Sequence, residues 1–201
     1  MVAEEAVALV AKCNSLEFTD DDLIPVSLSH NDALVITLMV ANCEIRRCLV
    51  DTGSTTELLF LHAFDQMHIS QSELITSTCP LVGFNGHVSY AKGKVRLMVT
   101  LGTCVVPIEF MVVDTDSPYN IILGRNWIHK MKAVPSTYHQ LIKFPTPSGI
   151  MQVRSDQVSA IQCNGVALKG ARESSTPSPK ASVEAVSKKA RSDEAAPSNT
   201  T

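Results

Sequence analysis

The sequence predicts a mainly β fold with one or two short helices, and three observations carry that expectation. Apolar, extended-type runs recur at residues 33–40, 44–50, 95–101 and 105–113. Gly, Pro and Asn stand between them at turn-like intervals. Helical spacing is confined to short stretches near 57–67 and 124–132. The chain has 201 residues, 45% of them hydrophobic and 18% charged, enough for one good core.

In chain order, residues 1–29 read as a lead-in segment in which Thr19 or Asp20 caps a single helical turn. The runs 33–40 and 44–50 flank Asn42 and are expected to pair as a hairpin that stops at Asp51. Residues 57–67 mix extended and helical spacing, which fits a strand end followed by a short helix. Next, 80–90 places Gly83 and Gly86 at a turn, with 95–101 as the returning strand of a mobile hairpin. Pro107 interrupts 105–113, which predicts an edge strand or one that begins after the proline. Residues 119–127 run from a buried strand through Gly124 into a helix ending near Lys132. A closing hairpin is expected from 138–144 and 150–154, around Pro145, Pro147 and Gly149. From about Lys169 onward, Ser, Ala, Pro, Lys, Glu and Thr dominate, and too little apolar surface remains to offset the entropy of ordering. The division predicted is a partly ordered lead-in at 1–29, a single domain at 30–160 and a polar, disordered tail at 161–201.

Charge and composition exclude several functions. A net charge of −3 gives no basic footprint for nucleic acid, and no apolar run approaches the roughly 18 residues of a membrane span. Glu4 and Glu5 precede the apolar stretch 6–11 where a signal peptide carries basic residues, so secretion is not expected. Cys13, Cys43, Cys48, Cys79, Cys104 and Cys163 show neither Cys-x-x-Cys nor zinc-type Cys/His spacing and read as reduced thiols of a cytoplasmic protein. No metal and no cofactor are called for. The histidines share no functional spacing, and Lys188-Lys189-Ala190-Arg191 reads as a solvated tail rather than a nuclear import patch.

The chemistry concentrates at Asp51-Thr52-Gly53. Such a triplet arises by chance in roughly one chain in ten of this size. Its context is more specific: Leu49 and Val50 precede it, Ser54 follows it, and Ile122-Leu123-Gly124 supplies a second apolar-apolar-glycine strand end. Asp51-Thr52-Gly53-Ser54 and the run from Asn120 to Trp127 resemble the two hallmarks of retropepsins. With 131–140 included, the resemblance extends to the protease segment of gypsy-type long-terminal-repeat retrotransposon polyproteins and covers about residues 17–160.

That resemblance implies a closed β-barrel of the acid-protease fold with one lobe per chain. It also implies a homodimer that hydrolyses peptide bonds of a polyprotein in the cytoplasm, virus-like particles included. A single Asp-Thr-Gly is half an active site, so the second carboxylate comes from Asp51 of another copy. Two carboxylates within hydrogen-bonding distance share a proton rather than both ionising. One takes a proton from water attacking the peptide carbonyl, and the other, protonated, polarises the carbonyl oxygen, best in mildly acidic conditions.

Supporting roles follow. Gly53 permits close backbone approach. The resemblance has Thr52 hydrogen-bonding across the subunit boundary, while Ser54 either contacts the outer oxygen of Asp51 or stabilises the turn. Ile122, Leu123 and Gly124 are expected beneath the loop. Gly83, Phe84, Asn85 and Gly86 stand at the tip of a substrate-covering flap, against the plainer reading of an ordinary surface hairpin. Arg125 resembles the arginine that holds viral dimers, but Thr55 and Thr56 stand where viral relatives place acids, leaving Glu57 as the substitute. Asp65, Asp114 and Asp116 read as solvated or capping carboxylates, and Trp127 as core. The alternative function is a catalytically silent retropepsin-fold interaction module or an unprocessed polyprotein fragment. A ubiquitin-pathway shuttle carrying such a domain would need a further domain that this sequence is not expected to supply.

Overall fold

β1 (Val35–Val40) and β2 (Cys43–Val50) form the expected hairpin, with Val40 opposite Cys43. Ala41 and Asn42 make the turn with φ of 47° and 68°, the left-handed pair whose twist matches that of the flanking strands. The structure, a computed structural model, describes residues 15–174 except Phe84, Asn85 and His87. The residues of 1–14 and 175–201, including most of the predicted tail, lie outside that range.

β3 (Glu57–Phe60) leads directly into α1 (Leu61–Gln66), as the mixed spacing of 57–67 predicts. β4 (Pro80–Val82) and β5 (Val88–Tyr90) pair as a small exposed ribbon. β6 (Gly93–Leu101) and β7 (Cys104–Val113) form a long antiparallel pair, followed by β8 (Ile121–Leu123) and α2 (Arg125–Met131). Six strands close a barrel in the order β1-β2-β8-β3-β7-β6, with β6 returning to β1. The fold is thus mainly β, a closed barrel with few helices, as expected.

The hairpin prediction around Gly83 and Gly86 needs one correction. Its returning arm is the short β5, whereas 95–101 belongs to β6 in the barrel wall, where Val95, Leu97, Val99 and Leu101 alternate inward. Pro107 does not begin or break a strand. It lies within β7 opposite Met98, in a stretch that β3 does not reach, since β3 pairs only with Phe110–Val113. A missing N–H is harmless on that open edge.

The core is built around the fully buried Phe64, Phe110, Phe144 and Trp127, with Leu59, Ile108, Ile121 and Leu123 between them. β9 (Val134–Ser136), β10 (Leu141–Thr146) and β11 (Gly149–Arg154) add a second sheet whose β10–β11 hairpin matches the expected one. The periodicity gave no sign of β9.

Two features cross the predicted divisions of the chain. Thr19 opens a 3-10 turn at Asp20–Leu23, and the turn is fastened to the second sheet. Lys143 Nζ donates to Asp22 Oδ2 at 2.7 Å and to the Glu17 carbonyl at 2.8 Å, while Arg154 donates to the Asp22 carbonyl at 2.9 Å. The ammonium also sits 5.0 Å over the Phe18 ring. At the other end, α3 (Gln157–Ser174) runs through the predicted boundary at 160/161. Asp156 caps it by accepting from the Ser159 N–H at 2.9 Å, and Ala160 and Cys163 are buried. Helix therefore continues where a polar tail was expected to begin, because two small side chains spaced three apart suffice to seat one face of it.

Candidate active site

Strand order alone creates the site. β2 and β3 are consecutive in the chain, yet β8 lies between them, parallel to β2 and antiparallel to β3. The connection from Val50 to Glu57 must therefore cross the end of β8, and it is stitched there. The Asp51 N–H donates to the Leu123 carbonyl at 2.9 Å, and the Arg125 N–H donates to the Ser54 carbonyl at 3.0 Å. Leu123 is fully buried beneath this crossing. Gly124 is required for space: a Cβ there would stand 2.8 Å from the Ser54 carbonyl oxygen and 3.1 Å from that of Thr56. The structure thus brings together Asp51, Thr52, Gly53, Ser54, Leu123, Gly124 and Arg125, with Ile122 paired between Leu49 and Leu58.

Within the loop, the Gly53 N–H donates to Asp51 Oδ1 at 2.8 Å, which fixes the carboxylate's direction. A Cβ on Gly53 would approach that same oxygen to 3.1 Å. Asp51 is half-buried, while Thr52 and Gly53 are exposed. Beside the carboxylate lies a concavity of about 320 Å³, walled by Leu34, Leu49, Val50, Pro135 and Thr137. An oriented carboxylate at the edge of an apolar groove has the ingredients of a general base acting on water.

The structure decides between the two readings of Ser54 and gives Glu57 a different partner. The Ser54 hydroxyl donates to the Thr56 carbonyl at 2.7 Å and accepts from the Thr56 N–H at 3.3 Å, so it stabilises the turn rather than touching the Asp51 carboxylate. Glu57 does not pair with Arg125. It is 3% exposed, with Oε1 accepting from the Trp127 N–H at 2.9 Å and Oε2 from Asn126 Nδ2 at 3.3 Å. Arg125 turns to the loop instead, where Nη1 donates to the carbonyls of Gly53 at 3.1 Å and Thr52 at 3.4 Å, and it has no acidic partner among the described residues.

Chain comparisons add the following. The retroviral protease-like domain of Ddi1 from Leishmania major is similar, with 10% identity and a TM-score of 0.47, over 63% of this chain and 95% of that one. EIAV protease, solved with the inhibitor HBY-793, is similar at 15% identity and a TM-score of 0.44, over 55% and 99% of the two chains. A retropepsin-like aspartic protease from Rickettsia conorii gives 17% identity and a TM-score of 0.41, over 61% and 83%. No protein-family model and no curated protein matches the sequence.

The predicted flap corresponds to the β4–β5 ribbon. Gly86 takes φ of 74° and donates from its N–H to the Gly83 carbonyl at 2.9 Å, a turn that a side chain would strain. Phe84 and Asn85 lie outside the described residues. The residues that sequence reasoning missed are Pro135 and Thr137, which wall the concavity from the second sheet, and Asn120, which anchors the entry to β8. Asn120 Oδ1 meets His62 Nε2 at 2.9 Å, and its Nδ2 donates to the Arg46 carbonyl at 2.8 Å. Asn120 stood within the recognised motif, but the sequence assigned it no partner.

Proposed function

We propose that this chain is a retropepsin-like aspartic endopeptidase, active as a homodimer in which Asp51 of two copies shares one catalytic water. The observation that carries the reading is the Asp51 carboxylate, oriented by the Gly53 N–H on a loop tied to the end of β8 and to the start of α2 and set beside a groove walled by Leu34, Leu49 and Val50. In the catalytic step one carboxylate takes a proton from water as its oxygen adds to the peptide carbonyl. The other donates its proton to the carbonyl oxygen. The β4–β5 ribbon covers the bound peptide and excludes water. The motif resemblance supports an extended polyprotein segment as the substrate and the cytoplasm, virus-like particles included, as the place of action.

The test compares cleavage of a retrotransposon polyprotein by the purified chain and by Asp51→Asn, each with and without a statine-type inhibitor. Cleavage that disappears with the mutation and with the inhibitor is expected. Equal cleavage by Asp51→Asn rules the enzyme out, and an active species that sediments as a monomer rules out the shared dyad.

A further inference from the structure

The groove beside Asp51 is lined by segments that lie far apart in the sequence: Ala33 and Leu34 before β1, Leu49 to Thr52 at the end of β2 and in its loop, and Pro135 and Thr137 in and after β9. The first of these stands beside the carboxylate. Val35 pairs with Leu49, and the Val50 N–H donates to the Leu34 carbonyl at 2.9 Å, so the antiparallel register carried one step further sets Ala33 opposite Asp51.

One side chain joins this segment to the one that follows β9. Gln140 Nε2 donates to the Asp32 carbonyl at 3.1 Å and to the Thr137 carbonyl at 2.7 Å. The first bond holds the peptide unit shared by Asp32 and Ala33, and the second holds that shared by Thr137 and Tyr138. Gln140 is 2% exposed, and its backbone takes φ of 50°, in the left-handed region that a long side chain seldom occupies. No donor among the described residues meets its Oε1. The burial and the backbone conformation therefore serve a side chain whose polar contribution is two donations, one to each lining segment.

Ala33 depends on that bond. It makes no backbone hydrogen bond of its own among the described residues, so its place opposite Asp51 is set by its two neighbours: Leu34, bonded to Val50, and Asp32, bonded to Gln140. Gln157 Nε2 meets Asp32 at its side chain, 3.0 Å from Oδ2, and leaves the peptide unit to Gln140. Further along, the Val35 N–H donates to Ser155 Oγ at 2.9 Å and the Val35 carbonyl accepts from the Asp156 N–H at 2.7 Å, bonds that fix the start of β1 rather than the groove.

We propose that Gln140 is a positioning residue of the groove: by holding these two peptide units at a fixed spacing, it keeps the lining beside Asp51 shaped for an extended peptide. The proposal rests on the protease reading for the peptide as ligand, and its test is binding, so the two fail separately. A fluorescein-labelled extended apolar peptide is titrated, by fluorescence anisotropy at neutral pH, into Asp51→Asn and into Asp51→Asn carrying Gln140→Met or Gln140→Asn, with circular dichroism to establish folding. Methionine keeps the length without the donors. Asparagine keeps the amide one methylene short of both carbonyls and tolerates a positive φ, so the backbone is not the cause of a loss. Each is expected to bind about tenfold more weakly, because lining that was held beforehand must be ordered on binding. Asp22→Asn in the same background, destabilised through the lead-in segment, is the control and is expected to bind as tightly as Asp51→Asn alone. With Asp51 intact, the loss shows in KM while kcat changes less, since the Gly53 N–H still orients the carboxylate. Absence of binding by Asp51→Asn, unchanged affinity in a folded Gln140 variant, an equal loss in the control, or loss of the fold in both Gln140 variants overturns the assignment. Binding with this dependence by a chain that cleaves no peptide keeps the assignment and overturns the protease reading.

Discussion

The Glu57 carboxylate accepts a hydrogen bond from the Trp127 backbone N–H at 2.9 Å, joining the strand that leaves the Asp51 loop to the first turn of the helix that follows Gly124. The loop crosses β8, and this bond closes the crossing from below. Removing the acceptor leaves a buried N–H without a partner. Glu57→Ala is expected to lose about 1–3 kcal/mol of stability in urea denaturation, and Glu57→Gln, which keeps a carbonyl acceptor, clearly less.

Arg125 acts on the same loop from its exposed side. Its guanidinium bridges the Thr52 and Gly53 carbonyls, so Arg125→Ala is expected to loosen the segment that orients Asp51. On the proposed protease function, kcat should fall about tenfold or more, because small misplacements of a reacting group are costly. Stability should change by no more than about 0.5 kcal/mol, as is usual for an exposed side chain. Paired kinetic and denaturation measurements separate the two effects.

Two glycines offer opposite outcomes. Gly124 has φ of −92°, which any residue tolerates, but an added methyl would meet the Ser54 and Thr56 carbonyls. Gly124→Ala is expected to cost about 1–3 kcal/mol through overpacking and to abolish cleavage. Gly165, inside α3, has nothing within 4 Å of an added Cβ. Gly165→Ala should stabilise the chain by about 0.5–1 kcal/mol.

The attachment of the lead-in segment is pH-dependent. The Lys143 hydrogen bond, followed by that from the Thr19 N–H, holds the Asp22 carboxyl below its ordinary value. A depressed folded value means that the stabilisation is fully present above the unfolded value of about 3.9 and is lost as pH falls through the lower folded one. Asp22→Asn should therefore be less stable than the unmutated chain at neutral pH, and the gap should close below about pH 4. A gap that persists unchanged in acid would show that Asp22 acts only through packing.

Much of this architecture was legible in the sequence, and the reason is local. The β1–β2 hairpin, the passage from β3 into α1, and the run from β8 through Gly124 into α2 follow from periodicities and turn formers that a short window contains. The Asp51 loop was legible too, because its residue types are dictated by close backbone approach. Pro107 shows the limit of such reading: a proline marks an unpaired edge, and only the strand order says which part of β7 is one.

Tertiary structure decided what meets across long separations. The sequence could offer Glu57 as a partner for Arg125 because both are charged and near the loop; the path of β3 instead buries Glu57 under the start of α2. It could divide 1–29 and 161–201 from the domain by polarity, but Asp22 is paired with Lys143, and α3 is seated by Ala160 and Cys163, contacts too small or too polar to show as apolar periodicity. The concavity beside Asp51 is likewise a product of folding, since its walls come from the segment that precedes β1, from β2 and its loop, and from the segment around β9. Periodicity reports which side of a segment is buried, whereas the identity of the segment that buries it depends on the closure of the barrel.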